Sequence, residues 1–98
     1  MLEVFRTKEF VNWLRRLRDI DARARINLRI DRIVLTGNLG DTRPVGDGVS
    51  ELRIDYGPGY RIYFTKQDAV VILLLIGGNK STQQRDIERA KELFKAYS

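Results

Sequence analysis

No cysteine and no histidine occur in these 98 residues, and only two prolines, one tryptophan and one methionine do. Without thiols there is no disulfide and no thiolate metal site, so one apolar core has to hold a short chain together. The two absences together exclude Ser-His-Asp and Cys-His nucleophilic triads, Cys/His zinc sites, haem and iron–sulfur ligation, and an imidazole general base. The acidic residues form no close pair of the glycosidase or two-metal kind, and the sequence proposes no metal and no cofactor. Long apolar runs are missing as well: the longest, Ala69 to Ile76, is far short of the roughly 20 residues of a membrane helix. Glu3, Arg6, Lys8 and Glu9 stand where a signal peptide would be apolar. The expectation is a cytoplasmic protein with no membrane partner, built as one domain over residues 1–98. Its chemistry has to come from Arg, Lys, Tyr, Asp, Glu, hydroxyls and amides.

What is abundant is positive charge. Lys and Arg number 18 against 13 acids, a net charge of +5 and a pI near 9.9, which favours polyanionic partners and says nothing of fold. The excess is N-terminal, where Arg15, Arg16, Arg18, Arg23, Arg25, Arg29 and Arg32 crowd two short segments. These residues suit either two solvated helix faces or a phosphate-contacting surface.

Periodicity predicts the elements. Leu2 to Phe5 suits a strand. Thr7 is a helix N-cap with Glu9 in the first turn, and Phe10, Trp13, Leu14 and Leu17 form one apolar stripe. Asp19 and Asp21 restart a second helix, whose stripe of Ile26, Ile30, Ile33 and Val34 runs to a stop at Gly37. From Asn38, the glycines and Pro44 break the pattern. Leu52, Ile54 and Tyr56 then alternate with Glu51, Arg53 and Asp55, and after Gly57-Pro58-Gly59 the residues Tyr60, Ile62 and Phe64 alternate with Arg61, Tyr63 and Thr65. Val70 to Ile76, apolar throughout, reads as a central strand buried on both faces. Gly77-Gly78 ends it, Ser81 to Gln84 fits a capping box, and Ile87, Ala90, Leu93, Phe94 and Tyr97 form a C-terminal helix stripe. The expected class is α+β: an N-terminal strand, a two-helix hairpin on a twisted antiparallel sheet of about four strands, and a C-terminal helix.

Alternation also predicts a polar sheet face opposite the hairpin, shared by Glu51, Arg53, Asp55, Arg61, Tyr63 and Thr65. Arg61 stands mid-strand beside Tyr63, where a guanidinium fork can grip a phosphate. Arg53 suits an ion pair with Glu51, Asp55 or a cross-strand acid. The turn from Gly77 to Thr82 offers amides, hydroxyls and the Lys80 ammonium to an anion, or is simply a glycine turn before a capped helix. Its spacing is not that of a nucleotide phosphate loop.

The run ELRIDYGPGYRIYF at 51–64, with GGNKST at 77–82, Gln83 and the segment 86–90, resembles the RelE/ParE toxin superfamily, and within it the HigB-like branch often labelled addiction module killer protein or phage Gp49-like. The resemblance spans nearly the whole chain. It implies two N-terminal helices against a twisted sheet, and a toxin neutralised by a cognate antitoxin, in this branch typically a helix-turn-helix DNA-binding protein. Some relatives cut messenger RNA on the ribosome and others poison DNA gyrase. Lys80, Thr82 and Gln83 resemble the messenger RNA interferases, and the His-Arg-Arg ending of gyrase-directed members is absent. The expectation is therefore a metal-independent endoribonuclease acting on ribosome-bound mRNA; a gyrase poison acting by binding, or a degenerate toxin kept as an antitoxin-binding module, are the alternatives. By the same resemblance Arg61 grips the scissile phosphate and Lys80 is the basic residue after the last strand. Tyr63, Arg53 and Arg43 support stacking, phosphate contact and positioning. Glu51 is a general base if it lies on an open face, or else a partner of Arg53. Arg15, Arg16, Arg23 and Arg29 become docking residues for ribosomal RNA phosphates.

Overall fold

The computed structural model describes residues 2–97. Strand β1 (Glu3–Arg6) leads into helix α1 (Lys8–Arg16) and helix α2 (Ile20–Thr36), followed by strands β2 (Thr42–Gly46), β3 (Val49–Ile54), β4 (Tyr60–Lys66) and β5 (Val71–Gly78). A short 3₁₀ turn (Lys80–Thr82) then opens helix α3 (Gln83–Tyr97). The caps form where the sequence places them for the hairpin. Thr7 Oγ1 accepts from the Phe10 amide at 2.9 Å, Asp19 from the Ala22 amide at 3.1 Å, and Gly37 closes α2 in the left-handed region at φ 73°.

The sheet has five strands in the order β1-β5-β4-β3-β2, not about four, and it is not wholly antiparallel, since β1 runs parallel to β5. The extra strand is β2. Its Gly and Pro content reads as a break, yet an edge strand tolerates a proline without an amide hydrogen, and a bulge between Pro44 and Gly46 absorbs the irregularity. Asp47 and Gly48, both at positive φ, make the two-residue hairpin turn into β3.

Two layers of side chains flank the sheet. On one face Phe10, Leu14, Ile26, Ile30 and Ile33 of the hairpin pack against Leu52, Ile62, Phe64, Ile72 and Leu74. On the other, Ala90 and Leu93 of α3 pack against Val49, Tyr63, Leu73 and Leu75. That second layer corrects the expected open polar face: α3 covers it, and Glu51, Tyr63 and Thr65 are buried there. Two smaller readings are also corrected. The capping box before α3 is made by Asn79 and Thr82, not by Ser81 and Gln84, and Tyr97 is half exposed, reaching Glu9 rather than the core stripe.

Gly77 and Gly78 do more than end a strand. A Cβ on Gly77 would land inside the Trp13 ring, and one on Gly78 would land on the Asp86 carboxylate. The tip of β5 is thus pressed between an indole of α1 and a carboxylate of α3, a close approach only glycine permits. Gly77→Ala is expected to lower stability by about 1–3 kcal/mol, read as a lower urea midpoint at unchanged m-value.

Candidate phosphate-binding cleft

The register of β3 on β4 sets Arg53 directly opposite Arg61, and Glu51 opposite Tyr63. Two arginines facing each other across a ladder repel, a cost the sheet bears only where something offsets it. Two acids do so in part. Arg53 Nε lies 3.6 Å from Asp41, the next residue along the β2 side, so its partner is the cross-strand acid and not Glu51 or Asp55. Arg61 Nε lies 3.4 Å from Glu51 Oε2.

Glu51 is wholly buried and is the hub of the site. Its Oε2 accepts from Gln83 Nε2 at 2.8 Å and from the Tyr63 hydroxyl at 3.2 Å, while Oε1 faces Arg43 Nε at 3.8 Å. The condition on which a base role rests, a position on an open face, is not met. The geometry makes this carboxylate a counter-ion that two strands and the first turn of α3 close over. Burial, the Glu51 charge and the bond to it, with Asp86 beyond, push the Tyr63 phenol far above its ordinary range against the opposing pull of Arg61. Tyr63 therefore stays a donor. Because its folded pKa exceeds the unfolded value of 10, the unfolded chain binds fewer protons above that pH, and stability falls as pH rises through the window above 10. Tyr56 and Tyr60 shift in the same direction. Tyr63→Phe is expected to flatten this alkaline limb by up to about 1.4 kcal/mol per pH unit, measured as the urea midpoint against pH.

Arg61 is fixed on two sides. Nη1 donates to the Gly59 carbonyl at 2.9 Å, Nε faces Glu51, and only 11% of the side chain is exposed. Gly59, at φ 77°, fits between the Arg61 guanidinium and the Lys80 Cβ. The Lys80 amide reaches the Pro58 carbonyl at 3.4 Å, so the turn before β4 is docked on the turn after β5. The result is a cleft of about 400 Å³ lined by Arg29, Arg53, Arg61 and Lys80, with Asp41 and Asp55 at its sides. Four cations converge there on a space that holds two acids.

The remaining sequence candidates separate cleanly. Arg29 reaches the cleft from α2, but its Nη2 donates to the Leu39 carbonyl at 3.1 Å and its Nη1 to the Arg53 carbonyl at 3.4 Å, so it also straps the loop before β2 to β3. Arg43 stands behind Glu51 on the edge strand. Arg15, Arg16 and Arg23 lie on the helices outside this cleft. Gln83 enters the sequence reading only through the Lys80, Thr82 and Gln83 pattern after the last strand and is given no role at the site; its bond to Glu51 is what the structure adds.

The family described as phage-derived protein, Gp49-like, matches residues 12–95. An uncharacterized protein of Haemophilus influenzae is 48% identical over 92 residues, covering 94% of this chain and 92% of that one. Among solved structures, the intact E. coli RelBE toxin–antitoxin complex holds a chain with TM-score 0.65 at 12% identity, covering 81% of this chain and 96% of that one. A doubly substituted E. coli RelE toxin in the free state gives TM-score 0.70 at 13% identity, over 93% and 96% of the two chains. The fold is RelE-like.

Proposed function

This chain belongs to the phage-derived Gp49-like family, and from that premise we propose that it is the toxin of a toxin–antitoxin pair, an endoribonuclease that cuts messenger RNA on the ribosome. The observation that carries the reading is the cross-strand pair Arg53 and Arg61, joined by Lys80 in one cleft and anchored from beneath by buried Glu51. A phosphodiester is the anion that such a cluster suits. Its two non-bridging oxygens share one negative charge and can meet a guanidinium fork, and they gain charge on the way to a phosphorane.

Cleavage then follows from positioning and charge. Arg61 and Arg53 hold the non-bridging oxygens, and their field favours the pentacoordinate state over the diester. Of the acids lining the cleft, Asp41 is tied to Arg53, which leaves Asp55 to accept the 2′-hydroxyl proton. The 2′ oxygen forms its bond to phosphorus, the bond to the 5′ oxygen breaks, and Lys80 returns a proton to that leaving oxygen. The products are a 2′,3′-cyclic phosphate and a 5′-hydroxyl. Tyr63, held protonated on Glu51, and Gln83 keep Arg61 in place and take no proton. Arg15, Arg16 and Arg23, outside the cleft, serve as docking contacts to ribosomal RNA.

The antitoxin is the second partner, supported by the RelBE complex sharing this fold. The test is induction of the chain alone and together with the product of the adjacent gene, with new 5′ ends mapped across the cell's messages. Growth arrest with in-frame message cuts, relieved by the neighbour, supports the reading. Arrest with intact messages and broken DNA moves the target to gyrase, and unimpeded growth removes the toxin role.

A further inference from the structure

The cleft that holds Arg61 does not end at Arg53. Sharing Arg29, Ile54 and Asp55 with it, a second depression of about 530 Å³ continues along α2 and is lined further by Arg25, Leu28, Arg32 and Tyr56. Asp41 and Asp55 line this joint track with Arg25, Arg29, Arg32, Arg53, Arg61 and Lys80; with Asp19 and Asp21 acting on Tyr56 and Glu51 paired to Arg61, six cations meet five acids. Burial and the neighbouring charge of Arg32 both hold Arg29 below the ordinary guanidinium range, with only Asp41 acting in the other direction. The track thus carries positive charge that its own carboxylates leave unbalanced. The larger cleft between α1 and α3 is different: there Arg16, Arg85 and Arg89 are matched by Glu9, Asp86, Glu88 and Glu92.

Two details give the second depression a shape for nucleic acid. The guanidinium carbon of Arg25, an exposed residue, lies over the Tyr56 ring, 4.3 Å from its centroid, so the ring attracts and steadies a normally mobile side chain. Leu28, 68% exposed, adds an apolar side chain to the wall of the same depression. A planar cation, an apolar side chain and an exposed arginine are the parts of a site that stacks a base and holds its phosphate.

We propose that this depression is a single-stranded RNA subsite, in which a base of the message stacks on the Arg25 guanidinium backed by Tyr56 and Arg32 takes an adjoining phosphate. The inference rests on the cleavage reading for the identity of the strand, and it deepens it: the message runs from Lys80 across Arg61 and Arg53 and out along α2, so nucleotides on one side of the cut contribute to binding.

The probe is a short 2′-O-methyl RNA oligonucleotide, which cannot be cut for want of a free 2′-hydroxyl, followed by fluorescence anisotropy over a salt series. Wild type is compared with Arg25→Ala, Arg32→Ala and Tyr56→Ala, and with Lys95→Ala on α3, an exposed cation outside the track. Stacking of one base is worth about 1–3 kcal/mol, so Arg25→Ala and Tyr56→Ala are expected to weaken binding about 5- to 150-fold. Arg32→Ala is expected to lower the salt slope by about 0.7, one phosphate contact to a single strand, while Lys95→Ala leaves the affinity for the oligonucleotide unchanged. Arg25 and Arg32 are exposed, so their variants test the site even if Tyr56→Ala fails to fold. Equal binding by all variants overturns the subsite, and so does an oligonucleotide that wild type does not bind at low salt. Unchanged oligonucleotide binding with weakened binding to message-free ribosomes assigns these residues to ribosomal RNA and overturns the path. Because the probe is not cleaved, binding along the track by a protein that leaves messages intact defeats the cleavage reading and leaves the subsite standing.

Discussion

Arg61→Ala is expected to slow message cleavage on programmed ribosomes by about 10²–10³-fold, the cost of removing one preorganised donor from a transition-state oxyanion. The expectation follows from how the side chain is held. Its Nε and Nη1 are committed to Glu51 and to the Gly59 carbonyl, which leaves the rest of the fork aimed into the cleft with little freedom to lose on binding. Arg61→Lys keeps the charge and loses the fork, and a rate between those of alanine and wild type is expected. Single-turnover kinetics at saturating ribosomes separates this from weaker docking: the chemical step falls while the concentration for half-maximal rate stays within a few fold. Asp55→Asn should show the same split, because in the proposed cleavage Asp55 takes the 2′-hydroxyl proton, and it makes no ion pair among the described residues. A full rate in Arg61→Ala would leave the cleft without its principal role.

Glu51→Ala is the variant expected to cost most stability, about 3–5 kcal/mol, the range for removing one member of a buried charged cluster. The carboxylate gathers Arg61, Arg43, Tyr63 and Gln83 from three elements. Alanine leaves a cavity lined by donors, with the Tyr63 hydroxyl and the Gln83 amide unpaired in the interior. Glu51→Gln keeps the shape and an acceptor oxygen but removes the charge that balances Arg61, so a smaller loss is expected. Urea denaturation at neutral pH, with the m-value unchanged, reads both. Should Glu51→Gln keep full stability and lose all cleavage, the carboxylate would be a reacting group and not a counter-ion.

The sequence shows the hairpin well because its signals are local: Thr7 and Asp19 cap, Gly37 stops, and the isoleucines of α2 repeat at helical spacing. It shows β3 and β4 for the same reason, and so it brings Arg53, Arg61 and Tyr63 to one face before any coordinates are seen. What it hides is that the face is covered. Glu51, Tyr63 and Thr65 look like solvent-facing residues because they are polar, but beneath α3 Glu51 Oε2 accepts from Tyr63 and Gln83, and Thr65 donates to the Gly48 carbonyl. A buried polar network and an exposed face have the same alternation. Edge strand β2 is hidden by Pro44 and its glycines, although Asp47-Gly48 is a strong hairpin signal. The parallel partner of β1 is fixed only by the crossover of both helices. Gly77 and Gly78 read as a strand end, while their reason lies in Trp13 and Asp86, distant in sequence. In the site, Gln83 and the Arg25–Tyr56 stack carry no pattern of their own, since each depends on a contact between separate elements.

In the proposed mechanism a cationic cleft, anchored on buried Glu51, drives attack of a 2′-hydroxyl on the adjacent phosphate. The most direct measurement is the chemistry of the ends left when purified protein acts on a programmed ribosome carrying a labelled message. A 2′,3′-cyclic phosphate on the upstream fragment and a 5′-hydroxyl on the downstream one, absent without ribosomes and lost with Arg61→Ala, is the predicted result. A 3′-hydroxyl with a 5′-phosphate, or no cut at protein concentrations that still halt growth, would contradict it.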